Sequence, residues 1–268
     1  MTGRAGVERD NEELRRCVEF ATAIESDCAD RVEPIEGGTA VLTPSLPLVW
    51  SRNYVLFERP GIDPGQMAEI CERVLGALGL GHRAVHLSDP AEGERLVPEF
   101  ERLGWETDRD LYMALRSRPA QPAVPGPEVS RQGLPAELVR ELSRENEFLA
   151  QQPEPLEEVV EQLLERERRR GEATGDRWYV AELEGRPAAT ATLLARAGVG
   201  QIEMVNTLES ARKRGLARAV LLAAIEDSLG EGNEITFLIA DAEDWPRGWY
   251  ERLGFAGLGV MTRFRKRA

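Results

Sequence analysis

Arg212-Lys213-Arg214-Gly215-Leu216-Ala217 packs three cations and a glycine into six residues. It stands between a strand-like run, Gly200 to Leu208, and an alanine-rich helical stretch running from about Ala211 to Leu229. A helix N-terminus offers unpaired backbone N–H groups and the positive end of the macrodipole, and together these attract anions. Gly215 lets the backbone approach a ligand closely because no Cβ intervenes. Ala217 keeps the next turn small. Arg212, Lys213 and Arg214 add cationic donors to a chain whose 34 basic and 47 acidic residues leave a net charge of −13. Two readings of the hexapeptide stand: a cradle for a pyrophosphate, and a basic surface turn capping a core helix.

The neighbouring sequence supplies the context. Ala136 to Asn146 and Leu156 to Arg170 carry apolar residues at helical spacing, with charged faces. The basic run from Arg166 to Arg170, broken only by Glu167, reads as a solvated helix end. Trp178 to Leu183 and Ala188 to Leu194 predict a hairpin, turned by Glu184-Gly185-Arg186. Glu234 to Ala240 predicts a further strand. A short helix to Leu253 and a final extended stretch complete the order ααββ-β-α-β-α-β.

Trp249-Tyr250-Glu251-Arg252-Leu253-Gly254-Phe255 ends that short helix and turns into the last strand. With the basic glycine loop upstream, it resembles the GNAT N-acetyltransferase superfamily over about residues 129–268. The loop matches R/Q-x-x-G-x-G/A at Arg212, Gly215 and Ala217, and the second motif matches Y-x-x-x-G-F at Tyr250, Gly254 and Phe255. The resemblance implies that backbone amides of Lys213, Arg214, Gly215, Leu216, Ala217 and Arg218 bind the pyrophosphate of acetyl-CoA, with Arg212 orienting the turn. It implies that Val205, Asn206 and Thr207 run beside the pantetheine, where a backbone N–H can polarise the thioester carbonyl. Tyr250 corresponds to the tyrosine that protonates the departing CoA thiolate; packing alone is the other role open to it. Glu203, two residues before Val205 and on its face under strand alternation, is the candidate general base, or else a solvated strand carboxylate. Gln201 occupies another familiar position for that base. Glu209 and Pro246 depart from the family pattern, and Pro246 bears on where the Tyr250 helix sits.

The first half carries a fainter copy of the second. Phe100-Glu101-Arg102-Leu103-Gly104-Trp105 recurs as Tyr250-Glu251-Arg252-Leu253-Gly254-Phe255, and the same offset sets Gly65 opposite Gly215. There the loop reads Ile62-Asp63-Pro64-Gly65-Gln66-Met67. Asp63 would repel phosphate, Pro64 removes an N–H, Met67 is bulkier than Ala217, and Phe100 lacks the hydroxyl. Four prolines between Pro119 and Pro127 favour an extended spacer. The expected plan is therefore a degenerate GNAT-like domain at 1–118, a Pro-rich linker at 119–128 and a catalytic GNAT domain at 129–268. The fold class is α/β with tandem GNAT-like lobes, each a mixed, mostly antiparallel sheet flanked by helices. The first lobe is expected to wall the acceptor pocket or set assembly.

Composition bounds the rest. The acidic balance argues against nucleic acid and anionic membranes, which need a cationic face. No stretch of about eighteen apolar residues is present to span a membrane. The charged start, Met1 to Asn11, does not read as a secretory signal. Cys17, Cys28 and Cys71 are scattered and odd in number, which suits free thiols in the cytoplasm. His82 and His86 fall on one strand face with no acidic or cysteine partner at ligand spacing, so no metal site is expected. The expected activity is acetyl transfer from acetyl-CoA, as acyl-donor cosubstrate, to the amine of a small molecule or peptide in a ternary complex. The rival is an acyl-CoA-binding sensor or interaction protein without turnover, and either reading leaves room for a homodimer.

Overall fold

A computed structural model describes every residue except 1, 121–125, 147–148, 150–153 and 245. The middle of the expected linker at 119–128 thus lies outside the described residues. The chain forms two compact units. In each, helices flank a mixed, mostly antiparallel sheet.

The first unit comprises Met1–Tyr112, Ala240–Arg247 and Gly257–Ala268. Helix α1 (Thr2–Asp27) buries Leu14, Cys17, Phe20 and Ile24, a stripe at helical spacing. The hairpin β1 (Arg31–Ile35) and β2 (Gly38–Leu42) follows. Then come β3 (Tyr54–Phe57), α2 (Pro64–Cys71), β4 (His82–Leu87), α3 (Pro90–Arg102) and β5 (Glu106–Leu115). β3 and β4 run parallel, with α2 as their crossover. A core of Phe57, Met67, Ile70, Leu75, Leu96 and Phe100 lies under the helices.

The C-terminal strand β11 (Phe255–Arg267) changes unit along its length. From Gly257 onward it belongs to the first unit and pairs antiparallel with β4, Arg263 opposite His86 and Arg267 opposite His82. These bounds differ from the single C-terminal domain expected at 129–268. The physical cause is local. β4 would otherwise present an unpaired edge, and Phe264 of β11 stacks on Phe100 at 3.9 Å inside the core. Both histidines of β4 are engaged in packing. His82 stacks on Trp50 at 5.0 Å, its Nε2 3.0 Å from the Asn53 carbonyl, and His86 stacks on Tyr54 at 4.0 Å.

The second unit comprises Met113–Ile239 and Gly248–Ala256. Its elements are β6 (Val129–Gln132), α4 (Ala136–Arg144), α5 (Leu156–Thr174), β7 (Arg177–Leu183), β8 (Arg186–Arg196), β9 (Val199–Thr207), α6 (Leu216–Gly230) and β10 (Ile235–Asp241). Helix α7 (Pro246–Arg252) precedes β11. Strands stand in the order β10-β9-β8-β7-β6, with only β10 parallel to its neighbour. Glu184-Gly185 and Ala197-Gly198 turn the two hairpins, each pair at positive φ, the geometry that matches strand twist.

One sequence expectation is corrected here. The basic run on α5 is not a solvated end: Glu167 and Arg170 are buried, and the helix continues to Thr174. Val160, Leu164 and Glu167 follow one another at helical spacing on the packed face, so the carboxylate is carried inward with them. Among the described residues, no helix is long and apolar enough to cross a membrane.

Candidate functional site

The site begins where two parallel strands part. β9 and β10 pair only at Val199–Ile235, Gly200–Thr236 and Gln201–Phe237. Beyond Gln201, β9 continues for six residues, Ile202 to Thr207, without β10 beside it. Burial follows the same break: Val199 to Ile202 are buried, while Glu203 to Thr207 are all at least partly exposed. On its other side β9 stays paired with β8, but the register slips. Thr192 faces Glu203 and Thr190 faces Asn206, so β9 holds one extra residue, and Met204 there has φ +52°. This is a β-bulge, a device that re-aims a strand's backbone and side chains. It also breaks the alternation by which Glu203 and Val205 were expected to share a face.

The strand feeds the basic loop. A 3₁₀ turn at Glu209–Ala211 leads into Arg212, and α6 starts at Leu216, five residues later than the pattern suggested. The delay has a conformational cause. Lys213 (φ +63°) and Gly215 (φ +80°) are both left-handed and cannot sit in an α-helix. Of four non-glycine residues at positive φ among the described residues, two turn hairpins; the other two are Met204 and Lys213. Strain of this kind is held where the surroundings demand it. Gly215 is the N-cap and has no side chain with which to satisfy the helix end. The first N–H groups of a helix have no intrahelical acceptor, and an added Cβ at Gly215 would meet nothing within 4 Å. Lys213 and Arg214 are exposed and pair with no carboxylate among the described residues, whereas Arg218 donates to the Ala120 carbonyl at 2.7 Å. Glu145, which the sequence reading did not single out, accepts from the Glu209 N–H at 2.8 Å and ties the loop's entry to the end of α4.

Tyr250 lies on α7, which Pro246 opens. A proline in the first turn removes no helical hydrogen bond, so the departure noted there leaves the helix intact. The Tyr250 ring meets Phe255 edge-on at 6.1 Å and Trp249 at 5.1 Å. Its hydroxyl has no hydrogen-bond partner among the described residues, and burial pushes its pKa up to about 12. At neutral pH it is therefore a proton donor. Gly254 (φ +90°) follows, and its carbonyl accepts from Arg116 N–H at 2.8 Å. A Cβ there would lie 2.2 Å from the Ser117 carbonyl oxygen, so the turn admits only glycine.

Glu203 is held from two directions. Arg170 Nη1 donates to Oε2 at 2.6 Å, and Gln201 Nε2 donates to Oε1 at 2.5 Å. Gln201, the alternative position for a base, instead orients Glu203. The sequence-predicted residues thus fall on three consecutive features of the second unit: the freed end of β9, the loop before α6, and α7. No direct hydrogen bond joins Tyr250 to the other two. Thr207 Oγ1 is buried and without a partner among the described residues, and the open helix end at Gly215 likewise lacks its acceptors. An extended ligand carrying hydrogen-bonding groups and a phosphate fits both needs, and acetyl-CoA is such a ligand.

The corresponding places in the first unit are closed. Asp63 is the N-cap of α2, and its Oδ1 accepts from Gly65 N–H at 2.8 Å and Gln66 N–H at 3.3 Å. β3 and β4 remain paired to their ends, Phe57 opposite Leu87. Phe100 is fully buried.

Residues 136–255 match the family model described as acetyltransferase (GNAT) family. No curated protein sequence matches the chain. Among solved structures, a conserved protein of unknown function from Staphylococcus epidermidis superposes with a TM-score of 0.64 at 13% identity, over 89% of this chain and 94% of its own. A GCN5-related N-acetyltransferase from Kribbella flavida gives 0.58 at 19% identity over 90% of each chain. A tandem GNAT protein from the clavulanic acid biosynthesis pathway gives 0.51 at 14% identity, over 86% of this chain and 78% of its own. At such identities these likenesses speak for the fold, and the last extends it across both units. With the basic loop, the bulged strand and the Tyr250 turn all inside or bordering the matched stretch, residues 136–255 are similar to the GNAT acetyltransferase family.

Proposed function

We propose that this protein transfers an acetyl group from acetyl-CoA to the amine of a small molecule or peptide, by direct attack within a ternary complex. The observation that carries the reading is the parting of β9 from β10 after Gln201 and Phe237, next to the bulge at Met204. Pantetheine lies along the freed edge at Val205, Asn206 and Thr207, as a further strand would. A backbone N–H there meets the developing oxyanion, the arrangement that contributes most to acyl transfer. The pyrophosphate rests on the N–H groups from Lys213 to Arg218, with Arg212 and Arg214 balancing its charge. The amine attacks the thioester carbon, and its proton passes to Glu203 directly or through water. The C–S bond then breaks, and Tyr250 protonates the leaving thiolate.

Incubating the full chain with acetyl-CoA and a panel of amines, polyamines, aminoglycosides and peptides tests this, with free thiol as the readout. Thiol release that requires both substrates is the expected result. Acetyl-CoA binding with no release from any amine would make the protein a sensor, and no binding at all would reduce the loop to a basic surface turn.

A further inference from the structure

We infer that Arg170 is a positioning residue for acetyl transfer: it fixes the direction in which the Glu203 carboxylate meets the acceptor amine. The inference rests on the function proposed above and adds a residue that neither loop nor strand contributes. Arg170 sits in the last turns of α5 with its side chain 3% exposed. Its Nη2 lies 2.5 Å from Glu167 Oε2 and 3.2 Å from Asp176 Oδ2, while Nη1 donates to Glu203 at 2.6 Å. The guanidinium also lies 6.0 Å above the Trp178 ring.

Arg166 pairs with Glu167 from the other side. Arg166 and Arg170 thus lie among three carboxylates, those of Glu167, Asp176 and Glu203. Exposure sets one of the three apart. Glu167 and Asp176 are 1% and 5% exposed, whereas Glu203 is 34% exposed and adjoins the bulge where β9 has left β10. A primary amine is the acceptor class that a carboxylate held in this place suits. Apolar residues of similar volume often replace such a buried ion cluster without loss of stability. What the apolar set could not supply is the fixed direction of the Glu203 carboxylate.

The test is a double-mutant cycle on the full chain, using the amine that gives the fastest thiol release in the panel above. Arg170→Lys keeps the charge but loses the fork that reaches several carboxylates at once. It should raise the acceptor KM and lower kcat/KM by about tenfold, a coupling typical of residues in contact. The acetyl-CoA Kd should stay at its wild-type value. In a Glu203→Gln background the same lysine substitution should cost nothing further, because the carboxylate through which Arg170 acts is gone. An equal loss in both backgrounds, or no loss in either, would overturn the inference and leave Arg170 a structural ion. If the lysine variant loses its cooperative melt, Arg170→Gln combined with Glu167→Gln removes one charge of each sign and takes its place. A wild-type chain that releases no thiol with any amine would overturn the function itself before any variant is made, so the two failures are distinct.

Discussion

The two units start a crossover helix after a parallel strand, and they finish that helix end in opposite ways. At α2 the carboxylate of Asp63 sits on the first N–H groups, Pro64 removes another donor, and β3 stays paired with β4 to its last residue. At α6 the cap is Gly215, the flanking side chains are basic, and β9 has six residues beyond its pairing with β10. The first arrangement satisfies itself; the second leaves donors and a strand edge for something else. A common strand–helix–strand frame therefore becomes a binding site or a closed structural element according to a few residues at its hinge.

The largest effect should come from Glu203. Glu203→Gln keeps the volume and the Gln201 contact but loses the charge, and should lower kcat by roughly 10²–10⁴, the range for one acid–base group. Acetyl-CoA binding, measured by calorimetry, should be near normal. An unchanged rate would assign the residue to structure and leave the proton acceptor elsewhere.

Tyr250 and Phe100 make the next comparison. Phe100 is fully buried and stacks on Phe264, while Tyr250 is partly exposed with a hydroxyl that bonds to nothing among the described residues. Packing at this turn uses the ring, and the oxygen accompanies the open loop. Tyr250→Phe should melt like the wild type and lose about 10²-fold in kcat. The loss should shrink for an acyl donor whose leaving thiol is more acidic. Near-wild-type turnover would show that water or another group protonates the thiolate.

How much of this was legible follows the range of each cause. Gly215, Gly254 and the basic triplet act through local backbone freedom and charge, so the residues announce themselves. The tandem repeat was legible for the same reason, through the paired Leu-Gly turns. The parting of β9 from β10 is a tertiary event, and no residue at Gln201 or Phe237 marks it. The bulge at Met204 carries no glycine, the usual written sign of one. The offset that set Gly65 opposite Gly215 was misleading in detail, because the caps align Asp63 with Gly215 instead. Arg170 was hidden in a run that reads as solvated, though Glu167 at helical spacing from Val160 and Leu164 was the available signal. The exchange of β11 into the first unit had no signal in composition, since Phe264 is one aromatic among basic neighbours.

The two caps can also be exchanged. Gly215→Asp gives α6 the cap residue type that Asp63 gives α2, on a left-handed rather than an extended backbone, and aspartate tolerates that conformation better than most residues. It should weaken acetyl-CoA binding by about tenfold or more, because a fixed negative charge then competes with the phosphate for the same donors. The left-handed backbone at Gly215, which side chains rarely adopt, should also lower the melting temperature, so affinity is compared on folded protein. Unaltered affinity would place the pyrophosphate away from this helix end.

The reverse exchange should do least, and its smallness is informative. Asp63→Ala frees the N–H groups of α2 and should cost about 0.5–2 kcal/mol of stability, the usual worth of an N-cap, read as a lower melting temperature of the whole chain. It should not create a second site. Pro64 still withholds one donor, no basic triplet stands before the helix, and β3 and β4 remain paired through Phe57 and Leu87. A pantetheine chain would have no strand edge to lie along, and a bare helix end without it holds phosphate only weakly. Calorimetry of Asp63→Ala with acetyl-CoA should therefore still give one site per chain with wild-type affinity. A second site of similar affinity would mean that the helix end alone makes the difference between the two units, and that the parting of β9 from β10 is incidental to binding.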